Sequence, residues 1–377
     1  MQREAIIHIG TMKTGSTSIQ NVFNKRRQEM LPQGAYYPRT PGSAAHILLT
    51  YAATKPRPNT RRPDAAIWKG MEPEARLAQF HTDFAHEMET LPQTVDRVIF
   101  SDERLSFSLR EESEVAAVRK LLEPFFSRFT VIAYLRRQDS LLASRYSELL
   151  RVGSVGEPDH IRNVPEVLRD YDYSRLLRMW SAVFGQESVK PRLYERGANK
   201  SFDSVDDFMS ACRLSINVPP NDPARAANPS MNAAGQEVLR EVGRVMQERM
   251  NTKHVAGPLW RAVSNTITKA LPGKGWLPTR DEAATFMARF TDSNEEIRRN
   301  YFPDRTTLFS DESANFPIEA PALTDRQRFE AACLALLEGM ARQASTPEPA
   351  AEKKKQRASE ADENRASSQL TAPVVRT

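Results

Sequence analysis

The sequence predicts an α/β protein with a mostly parallel central sheet flanked by helices. Three short apolar stretches carry this prediction: residues 5–9, 97–101 and 129–135. Each stretch ends at glycine or charged residues, and segments with apolar residues at helical spacing lie between them. Strands that alternate with helices in this way are typical of a parallel sheet covered on both faces. The length of 377 residues suits one large α/β domain with additional elements.

The composition is that of an ordinary globular protein, with 40% hydrophobic and 27% charged residues. The net charge of +5 suits an anionic ligand and does not demand nucleic acid. No apolar run is long enough for a transmembrane helix, and no signal-peptide core precedes the first strand. The two cysteines, Cys212 and Cys333, lie in apolar helical contexts and indicate reduced thiols. These features together predict a cytoplasmic protein.

The first stretch leads into a loop, residues 10–15, and then into a helix that begins at Ser16. The first amides of a helix have no partner within the helix, and the helix dipole adds positive charge there. A loop that feeds such a helix therefore binds anions, phosphate above all. Gly10 and Gly15 allow the backbone to adopt positive φ and to approach a phosphate closely.

This loop differs from the nucleotide-kinase pattern Gly-x4-Gly-Lys-Ser/Thr at one position. Gly10 and Gly15 have the required spacing and Thr17 supplies the hydroxyl, but Ser16 occupies the lysine position. The lysine is inside the loop instead, as Lys13. A kinase lysine reaches the β- and γ-phosphates of ATP. A lysine inside the loop suits a donor that carries a 5′-phosphate and one transferable group. Such a donor needs a cation close to its leaving oxygen, which is where Lys13 would lie.

The segment Lys13-Thr14-Gly15-Ser16-Thr17 resembles the 5′-phosphosulfate-binding loop of sulfotransferases that use 3′-phosphoadenosine 5′-phosphosulfate (PAPS). The resemblance implies the P-loop NTPase-like sulfotransferase fold, PAPS as the donor and no metal ion. It also implies that all five residues bind the donor. Lys13 would in addition be catalytic, because its ammonium group would stabilise the charge that grows on the leaving 5′-phosphate.

The second strand ends at Asp102-Glu103-Arg104, and catalytic groups of open parallel sheets lie at the carboxyl ends of strands. This segment resembles the Ser-Ser-Glu segment of bacterial sulfotransferase-like proteins. The resemblance implies that Glu103 accepts the proton of the acceptor. Asp102 stands where the family has a serine, so the choice between Glu103 and Asp102 stays open. The same strand is also similar to a Walker B strand that ends at a magnesium-binding aspartate, which favours a kinase.

The third strand ends at Arg136, and a helix follows. In sulfotransferases, an arginine at the end of such a strand and a serine eight residues later hold the 3′-phosphate. Arg136 and Ser144 have this spacing. Arginine suits the role because its planar guanidinium binds phosphate oxygens in pairs. Arg137 replaces the acidic or amide residue common in relatives, so either arginine could make the contact.

The resemblance extends from residue 4 to about residue 305, and we predict a sulfotransferase domain over residues 1–343. Residues 344–377 contain almost no large apolar side chains and are predicted to be a disordered polar tail. The pattern Ser204-x-x-Asp207 is typical of a capping box. Two basic segments, residues 55–62 and 253–278, are either surface loops or parts of an acceptor site.

The predicted activity is transfer of a sulfuryl group from PAPS to a hydroxyl or amine of a small-molecule or glycan acceptor. The resemblance and the basic loops favour a glycan, while the sequence does not distinguish sugar, lipid and protein. One alternative is a small-molecule kinase that uses ATP and magnesium. Another is a non-catalytic nucleotide-binding module that interacts with partners through its tail. The oligomeric state stays open.

Overall fold

The computed structural model describes residues 3–55, 70–195, 202–225, 230–251, 255, 257–320 and 322–345. Its centre is a sheet of five strands, all parallel, in the order β2-β3-β1-β4-β5. The strands are β1 Glu4–His8, β2 Ala35–Tyr36, β3 Arg97–Ser101, β4 Arg128–Leu135 and β5 Val189–Leu193. The predicted α/β fold with a parallel sheet is confirmed.

Strand β1 lies in the middle of the sheet, between β3 and β4. Ile6 is in register with Ile99 on one side and with Thr130 on the other. All five residues of β1 are buried, as expected for a strand with neighbours on both edges and helices on both faces. The loop that follows β1 is therefore held from both sides.

The described residues contain sixteen helices, some of which connect the strands and cover the faces of the sheet. The helices that begin before residue 160 are α1 Ser16–Lys25, α2 Arg27–Met30, α3 Ile47–Ala53, α4 Pro73–Glu89, α5 Arg104–Phe107, α6 Glu112–Leu122, α7 Gln138–Arg151 and α8 Pro158–Arg162. Those after it are α9 Pro165–Tyr171, α10 Tyr173–Phe184, α11 Ser204–Ala211, α12 Ala233–Met250, α13 Pro258–Ala270, α14 Arg280–Ala288, α15 Thr291–Tyr301 and α16 Asp325–Ser345.

Alternate residues of a strand serve the two faces of the sheet. On β3, Ile99 belongs to a cluster with Phe23 of α1 and Phe208 of α11. Phe100 points to the other face and contacts Phe84 of α4, with ring centroids 6.0 Å apart. Burial of these aromatic side chains fixes α1 and α4 on opposite faces.

The described chain divides into two compact units. The first contains the sheet and comprises residues 1–150, 155–229 and 275–322, while the second comprises residues 151–154, 230–274 and 323–377. Within the second unit, α12, α13 and α16 pack against one another.

Three regions singled out from the sequence fall partly outside the described residues. They are residues 56–62 of the first basic segment, residues 253, 254 and 256 of the second, and residues 346–377 of the tail. Cys212 and Cys333 are free thiols, the first buried and the second partly exposed. Within the described residues, every helix is too short or too polar to cross a membrane.

Candidate active site

Three neighbouring strands end at one edge of the sheet. The loop of residues 10–15 follows β1, Glu103 follows β3 and Arg136 follows β4. Because β3 and β4 flank β1, Glu103 and Arg136 lie on opposite sides of the loop. The carboxyl edge of a parallel sheet is where α/β proteins bind ligands. The predicted site residues of these three segments therefore meet in one place.

The loop has an unusual backbone. Gly10 and Gly15 have φ angles of 92° and 87°, and Lys13 has a φ angle of 62°. A positive φ is rare for a residue with a side chain, and such residues often occur at functional sites. The side chain of Lys13 is partly exposed, whereas Thr14 and Ser16 are buried. Lys13 is thus the cation that the loop presents at its surface.

Hydroxyl groups hold the loop from within. Thr11 donates its hydroxyl to the carbonyl of Tyr134 at 2.9 Å. Thr14 and Ser16 both donate to the carbonyl of Thr11, at 2.6 and 3.3 Å. Thr17, by contrast, is exposed. The hydroxyls of Thr14 and Ser16 thus stabilise the shape of the loop, and Thr17 is free to face a ligand.

The N-terminus of α1 is open to an anion. Gly15 precedes the helix and supplies no side-chain cap, and the first turn contains no acidic residue. The first backbone bond of the helix runs from the amide of Ile19 to the carbonyl of Gly15, at 3.1 Å. The amides of residues 16 to 18 therefore lie outside the helical ladder, where the helix dipole favours negative charge.

Both glycines are also required by close packing. A Cβ atom on Gly15 would lie 2.0 Å from the hydroxyl oxygen of Ser204, the first residue of α11. A Cβ atom on Gly10 would lie 3.0 Å from the Cβ atom of Glu103. The loop is therefore in direct contact with α11 on one side and with the segment after β3 on the other.

Arg136 joins the end of β4 to the loop. Its Nη1 donates to the carbonyl of Lys13 at 3.0 Å, and its guanidinium lies 5.5 Å from the ring centre of Tyr194. The carbonyl of Arg136 in turn accepts a hydrogen bond from the Tyr173 hydroxyl at 2.7 Å. These contacts fix the guanidinium beside the loop, on the side away from Glu103.

Arg137 points elsewhere. Its Nε donates to both carboxylate oxygens of buried Asp139, at 2.9 and 3.1 Å, and its Nη1 donates to the carbonyl of Ser310 at 2.8 Å. The guanidinium of Arg137 is thus held by its own ion pair, so Arg136 is the arginine at the loop. Ser144 lies on the second turn of α7 and is half-buried, and its predicted contact with a 3′-phosphate stays a prediction.

The two carboxylates after β3 have different surroundings. Asp102 is fully buried and accepts a hydrogen bond from the Thr50 hydroxyl at 2.5 Å and one from the amide of Arg104 at 3.2 Å. Burial raises its pKa, and Arg104 opposes that shift. Asp102 is therefore a structural group that ties α3 to the end of β3.

Glu103 has a carboxylate that no hydrogen bond or ion pair reaches from the described residues. Burial raises its pKa above the usual range, and the negative charges of Glu148 and Asp102 add to the shift. Arg104 and Lys13 act in the opposite direction, so Glu103 lies within electrostatic reach of the loop lysine. A carboxylate with a raised pKa beside a cation is suited to accept a proton.

His8, at the end of β1, is the nearest imidazole to the loop in the sequence. It is fully buried, and its Nδ1 is 2.8 Å from the Ser101 hydroxyl. Burial lowers its pKa to about 3, which keeps the ring neutral. His8 is thus a core residue, and Glu103 is the better candidate for a base.

Three residues of the site were not predicted from the sequence. Tyr194 follows β5 and would have been found by the same rule that selected Glu103 and Arg136, since it too lies at a carboxyl strand end. Glu148 is one turn after Ser144 on α7. Ser204 packs on Gly15 from far along the chain, and no local pattern indicates that contact.

No family model matches the sequence. A curated relative, an uncharacterized protein of Archaeoglobus fulgidus (strain ATCC 49558 / DSM 4304 / JCM 9628 / NBRC 100126 / VC-16), is 25% identical over 210 residues. The matched region is 54% of this chain and 54% of that protein. The chain therefore spans about half the length of the curated relative it matches.

Three solved structures with similarity to the chain are sulfotransferases. A sulfotransferase from Alicyclobacillus acidocaldarius has a TM-score of 0.38 and 13% identity, covering 69% of this chain and 100% of its own. The sulfotransferase domain of the curacin biosynthetic pathway has a TM-score of 0.33 and 10% identity, covering 88% and 97%. The sulfotransferase domain of the Synechococcus PCC 7002 olefin synthase has a TM-score of 0.31 and 11% identity, covering 77% and 94%.

Proposed function

We propose that this protein transfers a sulfuryl group from PAPS to a hydroxyl or amine acceptor. The observation that carries the proposal is the hydrogen bond from Arg136 to the carbonyl of Lys13. It places the Arg136 guanidinium beside the loop that carries Lys13 and leads into the open N-terminus of α1, which supports a single anion-binding surface there. Glu103 lies on the opposite side of the same loop, where an acceptor would have to approach.

The arrangement suits a donor with two separate phosphates. The loop amides and the start of α1 would hold the 5′-phosphosulfate, with Lys13 beside the bridging oxygen. Arg136 donates one Nη1–H to the carbonyl of Lys13, and its guanidinium would hold the 3′-phosphate together with Ser144. Gly15 would let the backbone approach the anion because it has no side chain.

In the proposed reaction, the acceptor oxygen or nitrogen attacks sulfur while the bond between sulfur and the bridging oxygen breaks. Glu103 accepts the proton of the acceptor, and the electron pair of the broken bond stays on the 5′-phosphate. The Lys13 ammonium stabilises that growing charge. Catalysis would therefore consist of positioning and electrostatic stabilisation by fixed groups.

A kinase that uses ATP and magnesium is less well supported. The aspartate that would bind magnesium, Asp102, is fully buried and bonded to Thr50 and Arg104. Ser16, in the position of the kinase lysine, is buried and bonded to Thr11. Neither residue is presented as a kinase would need it. We propose a glycan as one possible acceptor and a cytoplasmic location for the protein.

The proposal is tested by calorimetric titration with three nucleotides: 3′-phosphoadenosine 5′-phosphate (PAP), AMP, and ATP with magnesium. PAP is expected to bind at least about tenfold tighter than AMP, equivalent to ~1.4 kcal/mol, because it alone reaches the Arg136 side of the loop. Equal affinities for PAP and AMP, or a preference for ATP with magnesium, would exclude PAPS as the donor.

A further inference from the structure

The chain after α15 returns to the carboxyl edge of the sheet. Residues 305–310 (the return segment) begin four residues after the end of that helix. Leu308 and Phe309 of the return segment are buried. The carbonyl of Ser310 accepts the hydrogen bond from Arg137, at 2.8 Å, just after the end of β4. The return segment is therefore anchored by apolar side chains and reaches the edge of the sheet at which the loop lies.

Glu195, the second residue after β5, binds the return segment at two points. The two oxygens of its carboxylate accept from Nη2 of Arg305 at 3.1 and 3.0 Å. One of them also accepts from the amide of Ser310 at 2.7 Å. The Glu195 side chain is only 19% exposed, so solvent and salt screen this ion pair less than a pair on the open surface. Glu195 thus fixes the end of β5 to the return segment.

Tyr194 lies between Glu195 and the proposed donor site. Its amide donates to the carbonyl of Leu135 at 2.8 Å, which extends the pairing of β5 with β4. The centre of its ring lies 5.5 Å from the guanidinium of Arg136. A Cβ atom on Gly15 would be 4.0 Å from Cε2 of the same ring. The ring of Tyr194 therefore lies against both the arginine and the residue that precedes α1.

We infer that Glu195 is a positioning residue for the donor: by fixing the main chain next to Tyr194, it keeps the Tyr194 ring where it aligns the Arg136 guanidinium with the 3′-phosphate. This inference rests on the proposed function, since that function assigns Arg136 to the phosphate. The attraction between a guanidinium and an aromatic ring requires the cation to lie over the ring, so it depends on where the ring is held. AMP has no 3′-phosphate, so its binding depends much less on this alignment.

The test is the ratio of the affinity for PAP to the affinity for AMP, measured by calorimetry on the full chain. Glu195→Ala and Arg305→Ala should each reduce this ratio about three- to tenfold, because a misaligned guanidinium loses part of a charged hydrogen bond. Glu195→Gln should retain part of the ratio, because its amide oxygen can still accept from the Ser310 amide. The buried side chains of Leu308 and Phe309 remain in all three variants and should keep the return segment packed.

A matched control and a double substitution show whether Glu195 acts through Tyr194. Arg178→Ala removes another ion pair of the same compact unit, formed with Glu296 at 2.6 Å between α10 and α15, and should leave the ratio unchanged. Tyr194→Leu should lower the ratio by itself. Glu195→Ala should then add little in the Tyr194→Leu chain, since residues that act on one contact are coupled. Arg305→Ala and Glu195→Gln serve as the test if Glu195→Ala does not fold.

The outcomes separate this inference from the proposed function. If the unsubstituted protein prefers PAP and the variants of Glu195 and Arg305 keep that preference, the inference is wrong and the proposed donor stands. The same holds if these variants weaken AMP as much as PAP, because the ion pair would then only stabilise the fold, or if Arg178→Ala lowers the ratio as much. A full further loss from Glu195→Ala in the Tyr194→Leu chain would contradict the route through Tyr194. Equal affinities for PAP and AMP in the unsubstituted protein would overturn the donor and the positioning role together.

Discussion

Replacing Arg136 with alanine should weaken the binding of PAP far more than the binding of AMP. The guanidinium of Arg136 donates to the carbonyl of Lys13 at 3.0 Å and is proposed to hold the 3′-phosphate as well. The substitution therefore removes two interactions. Loss of the first loosens the loop that both nucleotides use, while loss of the second concerns PAP alone.

The structure allows the two losses to be estimated separately. Loss of the bond to the Lys13 carbonyl should weaken both nucleotides by at most about 1.5 kcal/mol. Loss of a hydrogen bond between two charged groups should cost PAP a further ~1.5 to 3 kcal/mol, or about 10- to 150-fold in affinity. The preference for PAP over AMP should therefore fall by about tenfold or more.

Calorimetry with PAP and AMP measures these losses of binding free energy. The four variants are Arg136→Ala, Arg137→Ala, Ser144→Ala and the double substitution of Arg136 and Ser144. Arg137→Ala is the matched control, because that guanidinium is held by Asp139 and the carbonyl of Ser310. Ser144→Ala should weaken PAP and leave AMP unchanged. The double substitution of Arg136 and Ser144 should lose less than the sum, since neighbours on one phosphate are coupled.

Two results would refute this reasoning. If Arg137→Ala reduces the preference for PAP more than Arg136→Ala does, Arg137 binds the 3′-phosphate and the assignment to Arg136 is wrong. If every variant weakens AMP as much as PAP, the protein has no separate 3′-phosphate site.

Three further predictions concern the loop and the base. Lys13→Ala should abolish transfer and leave PAP affinity largely unchanged, because the ammonium acts on charge that grows in the transition state; near-normal turnover would reduce Lys13 to an accessory cation. Glu148→Gln should lower the pKa of Glu103, so the acid limb of the pH profile of kcat/KM should move to lower pH, and an upward shift would contradict the assignment. Gly15→Ala should cost about 2 to 5 kcal/mol of stability in urea unfolding, from positive φ and from the contact with Ser204. Ser204→Gly in the same chain should recover the contact part, and failure to recover any stability would show that backbone strain alone is responsible.

The central strands could be predicted from the sequence because burial on both faces demands continuous apolar residues, as in residues 5–9 and 129–135. Strand β2 (Ala35–Tyr36) has only two residues and carries no such pattern. The capping box predicted at Ser204 was wrong by one residue. Asp203 caps α11 by accepting from two amides, and Asp207 pairs instead with Arg192.

The rule that ligands bind where parallel strands end puts Glu103 and Arg136 beside the loop, and the structure has them there, while their roles stay predictions. Their individual environments could not be predicted. Arg137 is directed away from the loop partly by Ser310, which lies 173 residues further along the chain.

The central place of β1 has a consequence for synthesis of the chain. Its partners are made much later: Ser101 is 93 residues after His8, and Thr130 is 126 residues after Glu4. At ribosomal speeds of ~5 to 20 residues per second, β1 waits about 6 to 25 s before β4 can cover its second edge. Both edges of this apolar strand are unpaired until β3 is made, and the edge that pairs with β4 stays unpaired for the whole of that time, which favours aggregation. Soluble yield should therefore depend on chaperones that bind the nascent segment around β1.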